Sequence, residues 1–174
     1  PKTVLTLEDY VAQGTMTEEQ KGIIIKAILD KKNIIAAGGT KSGKTTLLNA
    51  ILVEISKLPD RVVMIEDTPE LRCTAKDCIS LRTMPEVSMD KLLYYTLRKS
   101  PDRIVVGEVR SVEALALLDA WSTGHSGGGS TVHSKSAAGT PLRLRKKTST
   151  GTPNPPVPYK TLTPPTQKKR GIFR

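Results

Sequence analysis

Eight consecutive residues carry the plainest chemistry in the chain: Gly38-Gly39-Thr40-Lys41-Ser42-Gly43-Lys44-Thr45 fits the pattern G-x-x-x-x-G-K-[ST]. Glycines let such a backbone curl until successive N–H groups point inward. A concave run of N–H groups at a helix N-terminus attracts phosphate oxygens. Lys44 is spaced to reach the β- and γ-phosphates of a nucleoside triphosphate, and the Thr45 hydroxyl to take a place on Mg²⁺. With Thr46 in the first helical turn, Gly38 to Thr46 is the candidate segment for ATP. Lys41 is its odd member. If its position needs a positive φ, lysine costs on the order of 1 kcal/mol there; its charge would instead add to phosphate attraction.

A phosphate loop needs an acid at the end of a second strand, near the metal and the attacking water. Arg103-Ile104-Val105-Val106-Gly107-Glu108 supplies Glu108 where an apolar run stops, and glutamate is long enough to reach past a metal shell to water. Ile65-Glu66-Asp67-Thr68-Pro69-Glu70 offers more acids at another strand end. Glu66 is expected to support catalysis with Glu108 and Lys44, and Asp67 to join Thr45 and Glu108 on the metal side. The two histidines of the chain, His125 and His133, flank a Gly-rich turn and a short strand. His133, at the strand end, is expected to donate to the γ-phosphate, and His125 to orient a loop. Cys73 and Cys78 have no second pair and no adjacent histidine, so four zinc ligands are not expected.

These groups need a scaffold. Asn33-Ile34-Ile35-Ala36-Ala37 reads as a buried strand, and Leu47, Leu48, Ile51, Leu52 and Ile55 recur at helical spacing between Lys44 and Pro59. Val62-Val63-Met64-Ile65, Ile79-Ser80-Leu81-Arg82, Ile104-Val105-Val106 and Ser130-Thr131-Val132-His133 read as further strands. Thr17-Glu18-Glu19-Gln20 is a capping box for a helix ending near Asp30. Ser88 opens another helix through Leu97, and a third runs from Ser111 to Trp121. Strands alternating with helices predict an α/β fold, a mostly parallel sheet flanked by helices.

The chain has 174 residues and a formal charge of +10. Its length suits one domain, two cysteines exclude a disulfide framework, and no apolar run is long enough to span a bilayer. The first residues lack the apolar segment of a signal peptide, so a cytoplasmic setting is expected. Taken alone, +10 would favour nucleic acid or a membrane surface. Its distribution argues otherwise. Residues 1–138 hold 18 Lys+Arg against all 17 Asp+Glu, whereas residues 139–174 hold 9 Lys+Arg, no acid and 7 of the 12 prolines. The expected organisation is a lead-in over 1–16, a P-loop domain over 17–138 that is incomplete at its C-terminal end, and a basic, proline-rich, disordered tail over 139–174. A nearly neutral core is not expected to bind nucleic acid directly.

The same motifs, in this order, resemble the ATPases of type II secretion, type IV pili and type IV secretion, above all the conjugal-transfer ATPases of type IV secretion. The resemblance rests on Leu5 to Tyr10, Gly38 to Asn49, Arg61 to Leu71, Thr96-Leu97-Arg98, Pro101 to Arg110, Glu113-Ala114-Leu115 and Thr123 to Ser136. It implies a RecA-like P-loop ATPase that forms a homo-hexameric ring at the cytoplasmic face of the inner membrane. There it would drive the secretion or conjugation machinery. It also implies phosphate binding by Lys44 and Thr45, a catalytic carboxylate at Glu108, an acidic box at Glu66 and Asp67, and a histidine box at His125 and His133. An arginine finger is expected from ring neighbours or from a preceding domain, with Arg72, Arg82, Arg98 and Arg110 as unranked candidates.

The departures are Lys41 in place of the family's usual glycine and Ser126 in place of its usual proline. The chain as read is also expected to start past the N-terminal domain that the resemblance implies. After Ala138 it turns basic where the family continues with acid-containing helices, as a change of reading frame would produce. The function expected is Mg-dependent ATP hydrolysis that powers secretion. The alternatives are a nucleotide-binding assembly fragment without turnover, or a nucleic-acid motor resting on the tail.

Overall fold

The computed structural model describes residues 4–110 and 113–134. The expected tail lies outside these residues, as do the first two residues of the helix expected from Ser111. The strands are β1 (Ile34–Gly38), β2 (Val62–Glu66), β3 (Cys78–Arg82), β4 (Arg103–Val106) and β5 (Gly129–His133). They form one sheet in the order β1-β5-β4-β2-β3, and every pairing is parallel. The helices are α1 (Leu7–Ala12), α2 (Glu18–Leu29), α3 (Lys44–Ile55), α4 (Met89–Thr96) and α5 (Glu113–Ser122).

Alternation along the buried strands sorts their side chains between two cores. Val105 faces one layer with Val62, Met64, Leu48, Ile51, Leu52 and Ile55. Its neighbours Ile104 and Val106 face the other, with Ile65, Leu93, Leu117 and Trp121. Thus α1, α2 and α3 cover one face and α4 and α5 the other, the double cover that parallel strands require. The Thr17–Gln20 capping box forms as its sequence predicts. The lead-in expected over 1–16 contains α1, capped by a reciprocal Thr6–Asp9 box and anchored by the fully buried Leu7.

Parallel pairing also gives the sheet two unlike edges. Strand C-termini, and the loops that follow them, gather at a carboxyl edge; the turns that enter the strands gather at an amino edge. Register places Gly38 beside His133 and Ser130 beside Val106, so the ends of β1, β5 and β4 share the carboxyl edge. Open α/β sheets bind their ligands there.

Candidate active site

The phosphate loop leaves β1 at Gly38 and enters α3 at Lys44. Gly43 caps that helix in the left-handed region at φ 83°, with no side-chain cap and no acid in the first turn. The first N–H groups of the helix therefore face the loop as anion donors. Gly38 has a steric reason as well: a Cβ there would lie 2.5 Å from Ser42 Oγ. Ser42 Oγ and Lys44 Nζ both donate to the Gly39 carbonyl, at 2.8 and 2.7 Å, which folds the lysine over the loop. Thr45 is half-buried in the first turn, while Thr40 and Thr46 are exposed. Lys41 has a φ of 58°, so the strain that its position threatened is present, at about 1 kcal/mol.

Glu108 follows β4 by two residues and meets His133 at the end of β5, Oε1 to Nε2 at 3.0 Å. Two bonds pin the segment that carries it to β5: Thr131 Oγ1 donates to the Gly107 carbonyl at 2.7 Å, and the Val109 amide to the Thr131 carbonyl at 3.1 Å. On its other oxygen Glu108 accepts Nε and Nη2 of Arg110, each at 3.1 Å. Asp67, at the end of β2, accepts the Thr83 hydroxyl at 2.7 Å and lies 3.6 Å from Arg110 Nη1.

Two expected site residues are placed differently from the rest. Glu66 is buried, and its Oε1 accepts the amides of Glu70 and Leu71 at 2.8 and 2.7 Å. It packs on Gly107, where a Cβ would come 3.3 Å from its Cγ. Glu66 thus ties the acidic loop to the segment bearing Glu108. His125 lies at the amino edge, where its Nδ1 is 3.0 Å from the carbonyl of Pro101, just ahead of β4. It precedes β5 and His133 ends it, so the length of the strand separates His125 from the phosphate loop. The structure gathers the loop, Glu108, His133, Asp67 and Glu66 at one edge and leaves His125 out.

Sequence reading left Arg110 unranked, yet the signal was present. Glu108 and Arg110 are two residues apart in an extended segment, a spacing that puts both side chains on one face. Thr131 was missed because a hydroxyl in an apolar strand looks like any other β-branched residue.

Comparison with known proteins fits this geometry. The model of the type II/IV secretion system protein family matches residues 2–151. The chain belongs to that family. It is 49% identical over 154 residues to the probable conjugal transfer protein TrbB of Sinorhizobium fredii, covering 87% of this chain and 47% of that protein. The VirB11 ATPase from the Brucella suis type IV secretion system, solved in complex with sulphate, superposes with a TM-score of 0.68 at 31% identity. That match covers 84% of this chain and 50% of VirB11. The Legionella pneumophila ATPase DotB gives 0.65 at 27% identity, over 83% of this chain and 40% of DotB. The chain therefore spans about half the length of the curated relatives it matches. Its fold is the RecA-like P-loop core of the secretion ATPases.

Among the described residues no helix is long and apolar enough to cross a membrane.

Proposed function

We propose that this chain is the nucleotide-hydrolysing core of a type IV secretion or conjugal-transfer ATPase. It binds ATP at Gly38–Thr46 and works in a homo-hexameric ring at the cytoplasmic face of the inner membrane. The observation that carries this reading is the pairing of Glu108 with His133 at 3.0 Å, on the strand next to that of the phosphate loop.

Hydrolysis divides the work among residues of this chain. The loop amides and Lys44 neutralise the phosphates. Glu108 takes a proton from a water whose oxygen bonds to the terminal phosphorus, while the bond to the β-phosphate oxygen breaks and ADP leaves with that electron pair; the proton then passes from Glu108 to the products. His133 has one N–H to give: it holds Glu108 in place before ATP arrives and turns to the terminal phosphate once ATP is bound. The hydroxyl of Thr45 and the carboxylates of Glu108 and Asp67 are oxygen donors that fit a hard cation taking few protein ligands. Mg²⁺ bound there would neutralise phosphate charge.

Lys44→Ala is expected to abolish turnover and weaken ATP binding. Glu108→Gln should keep ATP binding while phosphate release falls by about 10²–10⁴-fold. Undiminished release from Glu108→Gln would remove that residue from its role. The strained Lys41, together with a span of half the relatives' length, favours a second reading, a nucleotide-binding assembly module. ATP binding without Mg-dependent phosphate release would decide for it.

A further inference from the structure

Glu108 stands just past a strand, and the hydrogen bonds around it show how it is aimed. Successive residues of β4 bond alternately to its two neighbours. Val106 pairs with Ser130 on β5, and the Gly107 amide donates to the Ile65 carbonyl on β2 at 2.9 Å. A regular ladder would continue with the Glu108 amide donating to the Thr131 carbonyl. The Val109 amide makes that bond instead, at 3.1 Å. One extra residue is therefore inserted between β4 and β5, and Gly107-Glu108 is a bulge. Bulges are rare between parallel strands, and they re-aim the side chain they carry.

Thr131 closes this bulge. An extended residue points its N–H and C=O to the same side, whereas Gly107 divides them. Its N–H goes to β2, and its carbonyl turns to β5, where Thr131 Oγ1 donates to it at 2.7 Å. A side-chain hydroxyl thus stands in for the backbone donor that the bulge displaces. Thr131 is 2% exposed, so water is poorly placed to take over the bond.

Alternation puts Thr131 on the same face of β5 as Gly129 and His133. The helix that leaves the phosphate loop covers that face: a Cβ at Gly129 would come 2.8 Å from Leu48 Cδ1. Thr131 therefore holds the backbone of Glu108, while the next residue on its face, His133, meets the Glu108 carboxylate at 3.0 Å.

We infer that Thr131 is a positioning residue for ATP hydrolysis. Its hydroxyl fixes the Gly107-Glu108 bulge and so directs the Glu108 carboxylate towards His133 and the phosphate-loop face. The inference rests on the nucleotide-site reading above and deepens it.

The test measures single-turnover phosphate release and affinity for a non-hydrolysable ATP analogue on the full chain. Thr131→Val keeps the shape and removes the hydroxyl. Release should fall by about a hundredfold, while analogue affinity stays at the parent's value. Thr131→Ser restores the donor and should recover most of the rate. Thr131→Cys offers only a weak donor and should fall between the two; it carries the test if the valine variant does not fold. Added to Glu108→Gln, Thr131→Val should cost less than about twofold more, because no aimed carboxylate is left to lose. A loss that persists undiminished in the Glu108→Gln background, or an equal loss of analogue affinity, would make Thr131 structural and overturn the inference. A cysteine variant as fast as the serine one would overturn it too. If the parent releases phosphate and Thr131→Val matches it, Thr131 loses its role and the nucleotide site stands. A parent without release overturns the hydrolysis reading and this inference together.

Discussion

The two edges of the sheet each hold an arginine–carboxylate pair, and burial makes them opposites. At the amino edge Arg103 is 1% exposed, its Nε 2.6 Å from Asp60. Its Nη1 and Nη2 reach the carbonyls of Gly127 and Ile28 at 2.9 and 3.0 Å. Asn33 completes the lock by accepting the amides of Gly127 and Gly128 at 2.8 and 3.2 Å. At the carboxyl edge Arg110 and Asp67 are mostly exposed, and Glu108 is shared between two partners. One arginine ties α2, β4 and the turn before β5 into a fixed frame; the other lies exposed between the carboxylates of Glu108 and Asp67. The same pair of functional groups builds a rigid scaffold where water is excluded and an accessible polar cluster where it is not.

Breaking the buried pair should have the largest effect. Arg103→Met leaves Asp60 and two carbonyls without their shared donor. It should cost about 3–5 kcal/mol in urea unfolding. A loss below about 1 kcal/mol would show that the amino edge is no more locked than its counterpart.

The two histidines test the comparison next. His133→Asn should lower turnover by about a hundredfold with little change in unfolding. His125→Ala should lose the contact to Pro101, about 1 kcal/mol of stability, and leave turnover alone. The reverse pattern would place the chemistry at the wrong edge.

Most of the carboxyl edge was legible in the sequence, because its residues obey local rules. The phosphate loop announces itself by spacing. Glu108 and His133 sit where apolar runs stop, and the unbroken apolar run Ile104-Val105-Val106 forecasts a strand covered on both faces. The amino edge was not legible. Arg103 looks like a charge at the start of a strand, and its three partners come from positions 24 to 75 residues away. Gly128 reads as a plain turn residue, although a Cβ there would meet the Ile104 carbonyl at 2.0 Å, the same atom that accepts Trp121 Nε1. His125 was grouped with His133 because both flank one turn. A strand between two residues carries them to opposite edges, and separation along the chain does not reveal that.

Lys41 sharpens the comparison from the carboxyl side, as a strained residue at the edge that carries the candidate site. Lys41→Gly relieves the left-handed backbone and should raise the unfolding free energy by up to about 1 kcal/mol. A loss of stability would mean that the lysine side chain contributes more contact than its φ of 58° costs.

The smallest effect comes from the exposed rim of the amino edge. Asp102 accepts the Arg61 amide at 2.8 Å and lies 3.7 Å from Lys31 Nζ. The amide bond, more than the lysine charge, holds its carboxyl below the ordinary value of 3.8. A depressed folded value means that the folded state favours the ionised form. Its contribution is therefore complete above the unfolded value and is lost as pH falls through the folded one. The group is 46% exposed, so that contribution is a few tenths of a kcal/mol. Asp102→Asn should thus be slightly less stable than the parent at neutral pH, with the gap closing below about pH 4. A gap that widened on acidification would mean that the carboxylate is strained by its neighbours and not held by them. The rim would then differ from the buried frame in sign as well as in size.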